Sequence, residues 1–429
     1  MTSRPRLLVL CPDPIGPEMR GMAIRCKELA RALAPHADVT LAATGGESAE
    51  AVWSQDRLGP LRALLRGADT VLAPPQPPHV TRALTRSGAR LCFDLYDPES
   101  LEVLERFRDH RLAVRRVHAA AATDKLLDAL RAGHFFVCAD ERQRDLWIGA
   151  LLAAGLLGPA AYDRDPTLRS LIDVLPFGVP AEPPARTADA PIRERFPELS
   201  GEERIVLWNG GLWGWLDAPA AIRAVATVRE RGTPARLVVM GASSAGGAGT
   251  AEREARLASE RAGGAALFND RWVPYAERGA WLLEADCAIS AHRDHLESRY
   301  AFRTRVLDCL WAGLPPVVTT GDALAALIER EDLGAGAPPG DHAALADALE
   351  RVLVAGRESY APRLAAAARR FAWPRVAEPL VRFVTAPDAP PRAGAGGLAA
   401  LEVSPGRRLR RTAQRLTRRA RLLRDRPDH

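Results

Sequence analysis

Lysine is almost missing from this chain. Lys27 and Lys125 are the only two among 429 residues, and arginine carries the positive charge. That bias, like the abundance of alanine, reads as genomic composition and not as function. Cysteine is also sparse. Cys11, Cys26, Cys92, Cys138, Cys287 and Cys309 stand singly with no CxxC spacing, which argues against a zinc or redox centre. No apolar run approaches the roughly 20 residues that a membrane span needs. The opening MTSRPRLLVLCPDP has too short an apolar run for a signal peptide, and Pro and Asp follow it. A cytoplasmic protein is the expectation.

The net charge of +6 is unevenly spread. Residues 406–429 hold ten arginines and two aspartates, a charge of +8, which leaves −2 for everything before them. The globular part therefore lacks the basic excess of a nucleic-acid binder. A chain of this length exceeds one ordinary core, so two domains are expected.

Short apolar segments alternate with amphipathic ones. Strands are expected at 7–11, 39–42, 70–73, 90–94, 135–139 and 172–175. Met22, Cys26, Leu29, Ala30 and Leu33 share one face of a 3.6-residue period between the first two. The stretch from 178 to 204 is rich in proline and charge and reads as a linker. The alternation then restarts with strands at 205–208, 237–240, 266–268, 287–290 and 316–319. Such a pattern predicts two doubly wound parallel-sheet domains facing across a cleft. The expected boundaries are a first domain at 1–180, a linker at 181–204 and a second domain at 205–360. A helical segment at 361–385, a flexible stretch at 386–405 and a basic helix at 406–429 follow.

Three loops follow strands and could hold a ligand, since ligands of open α/β sheets sit at strand carboxyl ends. The first, CPDPIGPEMRGMAIR, contains Gly16, Arg20, Gly21 and Arg25 ahead of a helix N-terminus that favours anions. An ordinary βα turn accounts for it equally well. The second, WNGGLWGWLD, places Asn209, Gly211 and Gly214 in a degenerate GxGxxG, with Gly210 inside it. The next strand ends without the acid that an NAD enzyme uses for the ribose, which leaves a diphosphate cradle or a tight turn packed by Trp213 and Trp215. The third, ISAHRDHLESRYAFRTRVLDCLWAGLPPVV, is the richest. Arg303, Thr304 and Arg305 at a helix start suit a diphosphate, and Asp308 one turn on suits two ribose hydroxyls. The HRD string lacks the partners of a kinase loop, and Asp163-Arg164-Asp165 reads as a surface loop, not a metal site.

On these segments the chain resembles the retaining GT-B glycosyltransferases of family 4, also called group 1. The most specific piece is LDCLWAGLPPVV. DPIGPEMRGMAIRCKELARALA, VLWNGGLWGWLDAPAAIRAV and FAWPRVAEPLVRFV stand in the family's order, so the resemblance covers nearly everything before the tail. It implies transfer of a sugar from a nucleotide-sugar donor, with retention, without a metal and without a cofactor. Asp308 matches the second acid of the family's Glu-x7-Glu block. The first acid falls on Tyr300, with Glu297 nearby but out of register. The family's basic residues in the second-domain glycine loop are replaced by Trp213 and Trp215, and Arg303 and Arg305 are expected to compensate. Val273 matches a strand end whose backbone meets the base. His292 and Glu297 are candidates for contacts with the sugar or phosphates, and Asp97, in FDLYDP, for the acceptor side. Asp97-Pro98 is also an ordinary helix-entry turn.

The tail places Leu409, Ala413, Leu416, Ala420 and Leu423 on one stripe among arginines, which suits an anionic membrane surface and a lipid-linked acceptor. A glycan or small-molecule acceptor fits as well, and the lack of aromatic residues argues against nucleic acid. Two other functions remain open on the same scaffold: a nucleotide-sugar epimerase, and a nucleotide-sugar-binding protein without catalysis.

Overall fold

A computed structural model describes residues 4–241, 249–387 and 391–393. The basic helix expected at 406–429 and most of the flexible stretch before it lie outside the described residues. Two sheets account for the strands. The first contains β1 (Arg6–Leu10), β2 (Asp38–Ala43), β3 (Ala51–Val52), β4 (Thr70–Ala73), β5 (Arg90–Asp94), β6 (Phe135–Cys138) and β7 (Ile172–Val174), in the order β3-β2-β1-β4-β5-β6-β7. The second contains β8 (Arg204–Trp208), β9 (Ala235–Val239), β10 (Ala266–Phe268), β11 (Cys287–Ser290), β12 (Pro316–Thr319) and β13 (Ala335–Ala337), in the order β10-β9-β8-β11-β12-β13. Every pairing between these strands is parallel.

The strands read as continuous apolar runs because helices cover both faces. β4 and β12 are buried at all of their positions. Strand order reverses between β1 and β4 in the first sheet and between β8 and β11 in the second. Ligands of open α/β sheets bind at the carboxyl edge of such a reversal. The second-domain loops of the candidate site emerge at that edge.

The segment read as a linker is more than a tether. Its residues 191–195 form a short helix, and Ile192, Phe196 and Leu199 are buried against Leu207 and Leu282 of the second domain. The Glu284 carboxylate accepts from the Ile192 and Arg193 amides, at 2.6 and 3.0 Å, which closes that helix's start.

The C-terminal helical segment breaks into three helices, Ala361–Arg370, Trp373–Val376 and Glu378–Thr385. At the break, the Val179 amide donates to the Phe371 carbonyl and the Trp373 amide donates to the Val179 carbonyl. Gly178 is required here: a Cβ would stand 2.5 Å from the Trp373 ring. The last helix then lies on the first domain. Phe383 stacks on Phe135 at 5.0 Å, Arg382 pairs with Asp173 at 3.1 Å, and Arg90 donates to the carbonyls of Phe383, Val384 and Ala386. The two domains are thus bound by a strap that starts on one and ends on the other.

Candidate active site

Gly210 adopts φ +142°, a backbone state that side-chain-bearing residues rarely reach. That turn aims the loop after β8 at the start of the helix Thr304–Ala312, and Arg305 joins the two. Its Nη2 donates to the Gly211 carbonyl at 3.2 Å, and its own carbonyl accepts from Asn209 Nδ2 at 2.7 Å. The guanidinium carbon lies 5.1 Å from the centre of the Trp208 ring. Nη1 is buried and has no hydrogen-bond partner among the described residues. Burial and neighbouring Arg303 push the guanidinium down to about 10, so it stays charged at neutral pH. Arg305 is therefore a cation fixed on two sides, with its buried Nη1 left unpartnered among the described residues.

Asp308 stands one turn along the same helix. Its Oδ1 takes the Arg278 Nε at 3.2 Å. Arg278 is itself clamped, 3.6 Å from the Tyr275 ring centre and 4.5 Å from that of Trp311, and it donates to the Tyr275 carbonyl at 2.7 Å. Burial raises the Asp308 carboxyl and Arg278 opposes that rise. The helix ends at Gly313 in the left-handed region, φ +61°, where the Gly-Leu-Pro turn requires it.

The crevice joins these groups to the other domain. Asn209, Gly210, Gly211, Val273, Thr304, Arg305 and Asp308 line it from the second domain, with Met240, Gly241 and Trp272 at one end. Met19, Arg20, Gly21 and Ile24 line it from the first. The Tyr275 amide donates to the Pro17 carbonyl at 2.9 Å and draws that first-domain loop against the crevice.

Two arginines expected to contact phosphate have protein partners instead of facing the crevice. Arg303 is buried and pairs with Asp322 at 2.6 Å, while its Nη1 donates to the carbonyls of Ser290 and Thr319. Arg25 is wholly buried. It meets Asp94 through two hydrogen bonds of 2.6 and 3.0 Å, and it donates to the carbonyls of Leu175 and Pro176. Both arginines hold the fold, and neither lines the crevice. Gly16 also lies outside the lining, although Arg20 and Gly21 of its loop are part of it.

His292, Glu297 and Asp97 sit apart from the crevice lining. His292 is buried beside β12, its amide donating to Thr319 Oγ1 at 2.9 Å, and neither ring nitrogen has a partner among the described residues. Burial with Arg303 and Arg305 nearby holds its ring far below the ordinary histidine range, so it is neutral. Glu297 lies in the short helix Leu296–Tyr300, which packs on the first-domain helix Glu99–Arg106. Burial and Asp97 push its carboxyl up to about 7. Asp97 is exposed to solvent, yet crowding by protein and the nearby Glu102, Glu99 and Asp94 raise it to about 8. Tyr300, at the first-acid position, lines a separate depression with Arg142, Asp145 and Arg299.

Arg278 and Tyr275 escaped the sequence reading, whereas Trp272 stood in it beside Val273. The only available signal was the i, i+3 spacing of Tyr275 and Arg278 after the Val273-Pro274 turn. Among the described residues no group of three or more His, Cys, Asp and Glu side chains is arranged to hold a metal ion.

Residues 203–354, the stretch that supplies most of this crevice, match the family model described as Glycosyl transferases group 1. The chain carries a group 1 glycosyltransferase domain. Its two-domain fold is the GT-B fold of solved glycosyltransferases. One similar structure is WaaG, a glycosyltransferase involved in lipopolysaccharide biosynthesis, with TM-score 0.60, 14% identity, 88% of this chain covered and 100% of that one. Anabaena Alr3699/HepE, solved in complex with UDP-glucose, gives 0.62 and 14%, covering 87% and 99%. The trehalose-6-phosphate synthase OtsA gives 0.59 and 12%, covering 89% and 99%. At these identities the likeness concerns the fold. No curated protein sequence matches the chain. The glycosyltransferase domain thus supplies Arg305 and Asp308, while the other wall of the crevice comes from the domain before it.

Proposed function

We propose that this glycosyltransferase takes a nucleotide-sugar donor in the crevice and transfers the sugar with retention, without a metal or cofactor, to an acceptor approaching from the first domain. The observation that carries the reading is the pairing of Arg305, with its spare buried donor, and Asp308 on one helix face opposite Arg20 and Gly21. The Val273 backbone and Trp272 receive the base. The free side of the Asp308 carboxylate accepts from the ribose hydroxyls. The diphosphate lies against Gly210 and Gly211, under the amides that begin the helix Thr304–Ala312. As the glycosidic bond breaks, negative charge grows on the leaving diphosphate. Arg305 and the helix N-terminus stabilise that charge from fixed positions, which lowers the barrier without reorganisation. His292 and Glu297, both buried with unpartnered polar atoms, supply hydrogen bonds near the sugar, and Asp97 lines the acceptor side.

A glycan, a lipid-linked intermediate or a small molecule serves as acceptor, and transfer takes place in the cytoplasm. HepE, the neighbour solved with UDP-glucose, makes uridine the first base to try. The test is a thermal-shift screen against UDP, GDP, dTDP and ADP, followed by mass spectrometry of nucleotide-sugars incubated with the pure protein. Stabilisation by one diphosphate, with slow release of that diphosphate from its sugar, supports the reading. Isomerised sugar instead identifies an epimerase. Stabilisation with no turnover, even with cell-extract acceptors, identifies a binding protein.

A further inference from the structure

Between the helices Leu58–Leu65 and Pro78–Arg86, on the outside of the first domain, lies a hollow of about 420 Å³ lined by Arg62, Arg66, His79, Arg82 and Arg86 over Leu58, Leu65 and Ala83. The four arginines are exposed, and none forms an ion pair or hydrogen bond among the described residues. Residues 57–90 contain six arginines and a single acid, Asp69, and that acid is taken by Arg6 at 2.9 Å. Nothing within the groove's own segments balances its charge.

Position separates the groove from the donor crevice. Arg66 and Arg86 each stand four residues before a strand, β4 and β5, so they lie towards the amino-terminal edge of the first sheet. The crevice opens at the carboxyl edges. A diphosphate in transfer is therefore not what these arginines meet. The chain's own path points to the occupant. Arg392 donates to the Thr85 carbonyl at 2.9 Å, and the Ala393 amide donates to the Gly133 carbonyl at 3.0 Å. The C-terminal segment thus leaves the described structure beside the residue that precedes Arg86. The 36 residues beyond it carry ten more arginines against Glu402, Asp425 and Asp428.

We propose that the groove of Arg62, Arg66, Arg82 and Arg86 docks this protein on an anionic bilayer, with lipid headgroup phosphates taken between the two helices. A laterally continuous anionic surface is the partner that meets both the groove and the chain's exit at once. Its negative potential attracts each basic group held within a Debye length. The Leu58, Leu65 and Ala83 floor suits the acyl side of the headgroup region better than a hydrated polymer.

The test is flotation of the full chain with vesicles of phosphatidylcholine containing about one-third phosphatidylglycerol, and with phosphatidylcholine alone. Wild type floats with the anionic vesicles only, and raised salt releases it. Changing Arg62, Arg66, Arg82 and Arg86 together to Ala, with the C-terminal residues intact, lowers that partition at least about tenfold, whereas the matching four-Lys variant retains it. An Arg→Gln set provides the same comparison should the Ala set misfold, and the thermal midpoint of each variant reports folding. Unchanged flotation of a folded groove variant overturns the proposal. So does wild-type binding to uncharged vesicles, and so does groove-dependent capture by a soluble acidic polysaccharide in place of vesicles.

Discussion

Arg278 holds Asp308 from the side, its Nε 3.2 Å from Oδ1, and is in turn pressed between Tyr275 and Trp311. The pair leaves the second carboxylate oxygen for a ligand and fixes where it points. Replacing Asp308 with Ala removes the proposed ribose contacts, and donor affinity is expected to fall about 10- to 100-fold with little change in thermal midpoint. Isothermal titration with the preferred nucleoside diphosphate measures it. Near-normal affinity in Asp308→Ala would remove this residue from the donor site.

Arg278 also sets the charge of that carboxylate. Burial raises the Asp308 carboxyl and Arg278 lowers it. In Arg278→Gln the opposing cation is gone, so protonation of Asp308 moves to higher pH. Nucleotide affinity in the variant then weakens as pH falls from neutral, over a range where wild type still binds. Affinity profiles that coincide after scaling would show that Arg278 acts only by packing.

Arg305 is the cation proposed to meet the diphosphate. Arg305→Ala is expected to lower kcat/KM by about 10²–10³, the cost of one fixed electrostatic contact at a developing charge. The loss has a signature: affinity for the nucleoside diphosphate drops sharply while affinity for the monophosphate changes less. Equal losses for both would place Arg305 in support of the Asn209–Gly211 loop alone.

Arg303 stands two residues earlier and is expected to behave differently. It and Asp322 are both buried and lie 2.6 Å apart. Removing either side chain strands the other charge, at a cost of about 3–5 kcal/mol. Arg303→Ala and Asp322→Ala should each lower the thermal midpoint sharply, and the double change to Met and Leu should recover much of it. A folded Arg303→Met/Asp322→Leu protein with normal stability but no donor binding would return Arg303 to the donor site.

The contrast between these two arginines marks what the sequence could and could not reveal. Strands were legible to within one or two residues where helices bury both faces, as at Thr70–Ala73 and Pro316–Thr319. Ala51–Val52 and Ala335–Ala337 were missed because two- and three-residue strands rich in alanine and glycine carry no periodic apolar signal. The helix start at 303–305 was visible as charge beside a glycine-proline turn. Which arginine faces the crevice was not, because that depends on partners far along the chain: Asp322 for Arg303, and Asp94, 69 residues away, for Arg25. Arg278 belongs to no motif, and only the fold brings it to Asp308.

The seam between lobes should make stability depend on pH. Glu297 reaches about 7 and Asp97 about 8, each raised first by burial and then by neighbouring acids: Asp97, Glu105 and Asp322 for Glu297, and the first-domain Glu102, Glu99 and Asp94 for Asp97, with Arg303 opposing for Glu297 and Arg106 for Asp97. A carboxyl whose folded value is raised binds its proton more tightly when folded. Its stabilising share is full below the unfolded value, 4.5 for Glu297, and is lost as pH rises through about 7. The fold therefore weakens from mildly acidic to mildly alkaline pH, as like charges accumulate between the helices Leu296–Tyr300 and Glu99–Arg106. Glu297→Gln keeps the shape and removes the ionisation. It should stabilise the protein at alkaline pH by up to about 3 kcal/mol, with little difference at pH below the unfolded value. Thermal melts across this range, with Asp97→Asn in parallel, measure it. Wild-type and Glu297→Gln curves that run parallel at every pH would show that Glu297 is not protonated on folding, and that the seam tolerates its charge.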